Sequence, residues 1–136
     1  MQKNNSIINY KINKVTHKIC YSNKTTFYLK KDILQIKNNP KLLFIYDDNI
    51  NSQIIKNFKK VFKSIKNKSY FLPVEGGKHN KDLNLLFKIV KILNKNNFTK
   101  NSIIVSLGGG VVGDVSSFAA AIYMRGTYYF HIPSTM

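Results

Sequence analysis

Residues Ser106 to Asp114 read Ser-Leu-Gly-Gly-Gly-Val-Val-Gly-Asp and follow the apolar run Ile103-Ile104-Val105. Three successive glycines after a strand can turn with positive φ and let a ligand come close to the backbone. The residues behind them, Val111 to Tyr123, read as a helix. A glycine turn that feeds a helix N-terminus presents free N–H groups and the positive end of a dipole, which suits a phosphate or pyrophosphate. Asp114, expected in the first helical turn, is an acceptor beside whatever binds there. The same glycines also fit a tight β-to-α turn with no ligand. Gly108, Gly110 and Gly113 satisfy G-x-G-x-x-G, yet no acidic residue follows about 20 residues on, as the dinucleotide fingerprint asks.

Elements of the right kind surround this motif. Ile7, Ile8 and Tyr10, then Ile19 and Tyr21, then Phe27, Tyr28 and Leu29 predict two or three short strands, with a turn at Ser22-Asn23. Asp32 to Lys37 reads as a short helix. Leu42 to Tyr46 is a continuous apolar run, as a parallel strand covered on both faces requires. Ile50 to Lys66 is an amphipathic helix, Tyr70 to Leu72 a short strand ended by Pro73. Leu83, Leu86, Val90 and Leu93 mark a helix that starts near Asn80 to Asp82 and closes at Asn96-Asn97. Ile103 to Leu107 and Tyr128 to Ile132 are further strands. Strands and helices that alternate at short spacing predict βαβ units and a mostly parallel sheet with flanking helices, an α/β fold. Ligands in such sheets lie beyond the carboxyl ends of the strands. Three polar or glycine-rich loops are expected there: Asp47 to Asn49, Glu75 to Lys81 and Gly108 to Asp114.

Composition narrows the classes. The chain has 136 residues, one domain (1–136) by length, and 43% hydrophobic residues. No apolar run is long enough to span a membrane, and Met1 to Asn5 lead into no signal-peptide core. Cys20 is the only cysteine, which leaves no intramolecular disulfide. The expectation is a soluble, cytoplasmic protein with no membrane partner. The net charge is +16, which suggests nucleic acid, but Arg125 is the only arginine among 22 basic residues. A nucleic-acid stripe favours arginine for bidentate contacts. Here the lysines are spread out, and the densest stretch, Lys56 to Lys68, is the solvated face of the amphipathic helix. No nucleic-acid partner is expected, and the charge is read as attracting anionic substrates. His17, His79 and His131 match no metal-ligand spacing.

Ser-Leu-Gly-Gly-Gly-Val-Val-Gly-Asp, Phe118-Ala119-Ala120-Ala121, Tyr123-Met124-Arg125-Gly126 and Ile132-Pro133-Ser134-Thr135 together closely resemble 3-dehydroquinate synthase. The glycine motif alone is similar to the wider superfamily with glycerol dehydrogenase and iron-dependent alcohol dehydrogenases. Gly77-Lys78-His79-Asn80-Lys81 looks like the family's Gly-Glu-x-x-Lys loop, and Asp47-Asp48-Asn49-Ile50 resembles its first nucleotide loop. The likeness covers most of residues 40 to 136. It implies a Rossmann-like N-terminal, NAD-binding domain. It also implies a carbon–oxygen lyase that turns 3-deoxy-arabino-heptulosonate 7-phosphate into 3-dehydroquinate and phosphate, in the shikimate pathway of aromatic amino-acid biosynthesis. The implied steps are transient oxidation of a ring hydroxyl by NAD, elimination of phosphate, return of the hydride, ring opening and an internal aldol closure.

By the same resemblance, Asp47 and Asn49 hold the adenosine ribose. The plain alternative for both is a turn before a helix. Gly76, Gly77, Lys78 and Lys81 contact the cofactor, and Lys81 also the substrate. Gly109, Gly110, Val111, Val112, Gly113 and Asp114 wrap the pyrophosphate and nicotinamide side. Ser134 and Thr135 bond the nicotinamide ribose. Arg125 binds the phosphate or carboxylate of the sugar phosphate; otherwise it is a charge at a helix C-terminus. Lys78 replaces the family's glutamate, and His131 stands where glutamine is common and reads as packing. The family's divalent metal, zinc or cobalt, takes its ligands from a helical C-terminal domain that this chain does not include. The resemblance therefore implies a missing domain, in the same or another chain, and a homodimer for the intact enzyme. It also implies that this chain alone is incomplete for catalysis. The alternatives are a polyol or alcohol dehydrogenase domain of the same superfamily, and a non-catalytic nucleotide-binding remnant.

Overall fold

The computed structural model describes residues 6–22, 24–36, 40–64, 68–77 and 82–134. The chain divides into two compact units, 1–35 and 36–136.

In the first unit β1 (Ser6–Ile12) and β2 (Val15–Tyr21) form an antiparallel hairpin, with Ile12 opposite Val15. The turn lies at Asn13-Lys14, both with positive φ (48° and 68°), as a two-residue hairpin turn of the primed type requires. Ser22 does not close that hairpin. Its Oγ accepts from Lys24 N and its carbonyl from Thr25 Oγ1, and so it opens α1 (Thr25–Gln35). The strand expected over Phe27 to Leu29 is thus helix, and the helix expected from Asp32 begins seven residues earlier. Leu29 and Ile33, one helical turn apart, are its buried positions. Lys18 Nζ bonds both carboxylate oxygens of Asp32, at 2.7 and 2.8 Å, and ties β2 to α1.

The second unit is a parallel sheet of order β4-β3-β5-β6. Its strands are β3 (Leu42–Asp47), β4 (Ser69–Val74), β5 (Ile103–Gly108) and β6 (Tyr128–Pro133). The helices are α2 (Ser52–Ser64), α3 (Leu83–Lys95) and α4 (Gly110–Ile122). The α/β reading with a mostly parallel sheet holds. β3 and β5 are central, and apart from Asp47 at the end of β3 they are buried along their length because both faces are covered. On one face Phe44 of β3 meets Phe58 and Phe62 of α2, ring centroids 5.7 and 4.9 Å apart. On the other, Leu43, Ile45 and Ile104 share a buried cluster with Leu86, Ile89 and Leu93 of α3 and with Val112, Val115 and Ala119 of α4. Pro73 does not end β4: it pairs with Tyr46 inside the strand. A proline lacks a donor, and an edge strand has one side on which none is needed. Asp82 caps α3 by accepting from Leu85 N at 3.0 Å. No helix of the described residues is long and apolar enough to cross a membrane.

Ile104 is fully buried at the centre of the cluster. Ile104→Ala is expected to cost about 2–5 kcal/mol of unfolding free energy, measured by urea denaturation.

Candidate functional site

Parallel pairing of all four strands puts their carboxyl ends on one edge. Asp47, Val74, Gly108 and Pro133 are the last strand residues there. Two glycines let this edge close. A Cβ on Gly76 would fall onto the Asp47 carboxylate, 2.7 Å from its Cγ and Oδ1. A Cβ on Gly108 would lie 2.9 Å from Val112 Cβ and 3.3 Å from Asp47 Cβ. The loops after β3, β4 and β5 therefore do meet, as the sequence pattern leads one to expect. The end of β6 joins them through Ser134 N, which donates to Gly108 O at 3.0 Å.

The glycine loop gains closeness, not handedness. Among the described residues, glycines with positive φ are Gly77 (128°) and Gly126 (112°) alone, so the expected positive φ at the triple glycine is not used. Gly109 is the N-cap of α4 in extended conformation (φ −79°), and no side chain caps the helix. The first intrahelical bond runs from Gly113 N to Gly109 O at 3.0 Å. Helix geometry leaves the N–H groups of Gly110, Val111 and Val112 without an intrahelical acceptor. Gly110 is exposed, and a Cβ there would meet no described atom within 4 Å. Backbone donors, the positive end of a helix dipole and an unobstructed approach thus coincide, which is what an anion needs. Asp114 falls in the second turn, because the helix starts at Gly110.

Asp47 acts here as a turn residue. Its Oδ1 accepts from Asn49 N at 2.9 Å and from Asn49 Nδ2 at 3.1 Å. That is the turn before a helix weighed for these two residues; the next bond toward α2 comes from Asn51, whose Oδ1 accepts from Gln53 N at 2.8 Å. Lys78, His79, Lys81 and Thr135 lie outside the described residues. Arg125 sits apart from all of these. α4 runs 13 residues from the carboxyl edge to the amino edge, about 20 Å at 1.5 Å per residue. Arg125 follows it there, just before Tyr128 pairs with Ile103 at the opposite end of the sheet. It is exposed and held in a turn of three consecutive left-handed residues, Met124 (φ 50°), Arg125 (φ 63°) and Gly126. Beside it, Lys100, Asn101, Gly126, Thr127 and Tyr128 line a wide depression.

Sequence reasoning missed a polar network under the glycine loop. Ser106, fully buried on β5, contacts Tyr129 Oη at 2.7 Å and His131 Nδ1 at 2.8 Å. Tyr129 Oη donates to Gly113 O at 2.9 Å. Tyr129 and His131 stand two apart on β6 and so share a face, opposite Ser106 in the parallel register. That alternation, with a lone serine in an apolar strand, was the available signal. The His131 ring packs on the helix where a Cβ of residue 113 would be, 2.7 Å from its Cε1. Gly113 is therefore explained by β6, not by a ligand. Burial lowers the His131 pKa below its usual 6.5, and the Asp114 charge offsets part of that. The described residues hold no group of three or more His, Cys, Asp or Glu placed to bind a metal ion.

Residues 71–136 match the family model described as 3-dehydroquinate synthase N-terminal. The 3-dehydroquinate synthase of Clostridium tetani is 40% identical over 115 residues, 85% of this chain and 30% of that protein. That of Buchnera aphidicola subsp. Cinara cedri is 33% identical over 109 residues, 80% of this chain and 29% of that protein. The chain thus spans less than a third of these relatives. Among solved structures, a 2-deoxy-scyllo-inosose synthase complexed with carbaglucose-6-phosphate, NAD+ and Co2+ superposes with a TM-score of 0.83 at 18% identity, over 96% of this chain and 35% of the other. The fold is shared.

Two outcomes follow from the His131–Gly113 packing. Alanine is the better helix former, yet Gly113→Ala is expected to cost about 1–2 kcal/mol through overpacking. In a His131→Ala background the same change becomes neutral or stabilising; a double-mutant cycle in urea reads the coupling. A histidine whose folded pKa is depressed binds fewer protons folded than unfolded. Its contribution is intact above pH 6.5 and is lost as pH falls below 6.5 toward the folded value. Unfolding midpoints between pH 8 and 5 should decline less in His131→Gln than in the parent chain.

Proposed function

We propose, from the premise that this chain is related in sequence to the N-terminal third of 3-dehydroquinate synthases, that it forms the NAD-binding part of such an enzyme. The observation that carries the reading is the start of α4, where uncapped N–H groups follow Gly110, a glycine whose Cβ would meet no described atom within 4 Å. The residues fit NAD. Gly110, Val111 and Val112 N–H would receive the pyrophosphate, with Gly109 as the N-cap before them, and Gly110 leaves room for its approach among the described residues. Asp47 and Asn49 lie at the neighbouring strand end, where the adenosine ribose would reach the carboxylate or the amide. Gly76 and Gly77, with Lys78 and Lys81, would border the same ligand, and Ser134 and Thr135 would face it from the end of β6. Bound there, NAD would supply a reversible hydride acceptor.

The activity belongs to the whole synthase: conversion of 3-deoxy-arabino-heptulosonate 7-phosphate to 3-dehydroquinate with loss of phosphate, in a cytoplasmic pathway to aromatic amino acids. In this reading Arg125 would bind the anionic group of the sugar phosphate. It lies about 20 Å from the glycine loop, so it meets that ligand only if another domain or a second subunit brings the substrate to the amino edge. The metal and its chemistry would belong to the part of the synthase beyond the third that this chain matches.

Gly110 gives a clean test. A Cβ at this site meets no described atom within 4 Å and its φ is not left-handed, so Gly110→Ala should leave stability unchanged or raise it by up to about 1 kcal/mol. The same methyl would stand where the pyrophosphate must approach, and NAD affinity should fall at least about tenfold. Calorimetric titration with NAD and ADP-ribose measures it. Equal affinity of the two proteins would contradict the assignment.

A further inference from the structure

Three hydrogen bonds in a row fix where the protons sit at Ser106. Gly113 O can only accept, so Tyr129 Oη spends its single proton there. The 2.7 Å contact between Tyr129 and Ser106 then uses the serine proton. Ser106 Oγ has no second proton to donate, so its 2.8 Å contact with His131 is a bond only if Nδ1 is protonated. The opposite arrangement, with Tyr129 donating to Ser106 and Ser106 to Nδ1, gives up the bond to Gly113. A neutral imidazole that carries its proton on Nδ1 has a bare lone pair on Nε2. Among the described residues the hydrogen bond of this ring to Ser106 runs through Nδ1, not through Nε2. Nε2 stands at the first turn of α4, 3.0 Å from where a Cβ of residue 113 would be, on an exposed residue two positions before the end of β6.

We propose that His131 is a specificity residue of the site at the start of α4. Held as the Nδ1–H tautomer by Ser106 and Tyr129, it offers Nε2 as an acceptor to a hydroxyl or carboxamide donor of the bound nucleotide, and turns away a phosphate oxygen. Tyr129 is the positioning residue: it takes the Ser106 proton and so sets the His131 tautomer without touching the ligand. The proposal rests on the reading of that loop as a nucleotide site. It divides the site in two. The backbone of Gly110 to Val112 serves the anionic part of the ligand, and β6 serves a neutral donor group.

Nitrogen NMR of the histidine side chains in the full chain tests it, with His131→Gln to assign the signals. At a pH where His131 is neutral, Nδ1 should show the protonated shift and Nε2 the bare one. Tyr129→Phe removes the acceptor of the Ser106 proton; Ser106 then donates to Nδ1 and His131 switches to the Nε2–H tautomer. That switch follows from the hydrogen bonds of the fold alone; the response of Nε2 to NAD is what separates a specificity role from a structural tie between β6 and α4. NAD should move the Nε2 signal of the parent chain, and Tyr129→Phe should bind NAD about tenfold more weakly. An Nε2–H tautomer in the parent chain overturns the proposal, and it decides the matter even if Tyr129→Phe does not fold. Shifts at the Gly108 to Gly113 amides with NAD, but none at Nε2, also overturn it and leave the nucleotide reading standing. No shift at those amides overturns the nucleotide reading and this proposal together.

Discussion

At Gly76, just past β4, and at Gly108, the last residue of β5, there is no room for a side chain. Gly76 lies against the Asp47 carboxylate, and Gly108 lies against both Asp47 and Val112. Because these two positions are bare, the ends of β3, β4 and β5 draw together, and α4 can begin two residues after β5 closes. A larger residue at either place would push apart the loop and the helix. The free N–H groups at the start of α4 owe their place on the sheet edge to that close contact. The buried strands β3 and β5 provide the rigid base from which it is made.

The glycines of the motif thus have different duties. Gly108 makes space between strand, helix and the neighbouring loop. Gly113 makes space for His131. A Cβ on Gly110 would meet no described atom within 4 Å, so the described fold does not need its lack of a side chain. A motif read only as a phosphate cradle would give all of them one purpose. Separating them assigns the binding to the first turn of the helix. It also brings Tyr129, Ser106 and His131 into the site as the groups that pin that turn to the sheet.

Much of this was legible in the sequence. The two-sided apolar runs at Leu42 to Tyr46 and Ile103 to Leu107 gave the central strands, because a strand covered on both faces cannot alternate. Helices α2 and α3 followed from their periodicity, and the meeting of three loops from parallel topology. What was not legible has physical causes. Thr25, Thr26, Phe27 and Tyr28 have strand propensity, but a turn at Ser22 and the burial of Leu29 and Ile33 at helical spacing prevail. Pro73 reads as a stop only until β4 is known to be an edge. Arg125 is nine residues from Ser134 in the chain, yet β6 runs between them from one edge of the sheet to the other; nearness in sequence is not nearness in a βαβ unit. The network at Ser106 needed the register of β5 and β6, which no pattern in one strand contains.

The central claim is that the start of α4 is a nucleotide site, and a crystal structure of the chain grown with NAD tests it most directly. The account predicts pyrophosphate oxygens about 3 Å from the N–H groups of Gly110, Val111 and Val112, in line with the helix axis. NAD ordered elsewhere on the molecule, with those N–H groups facing only water, would contradict it.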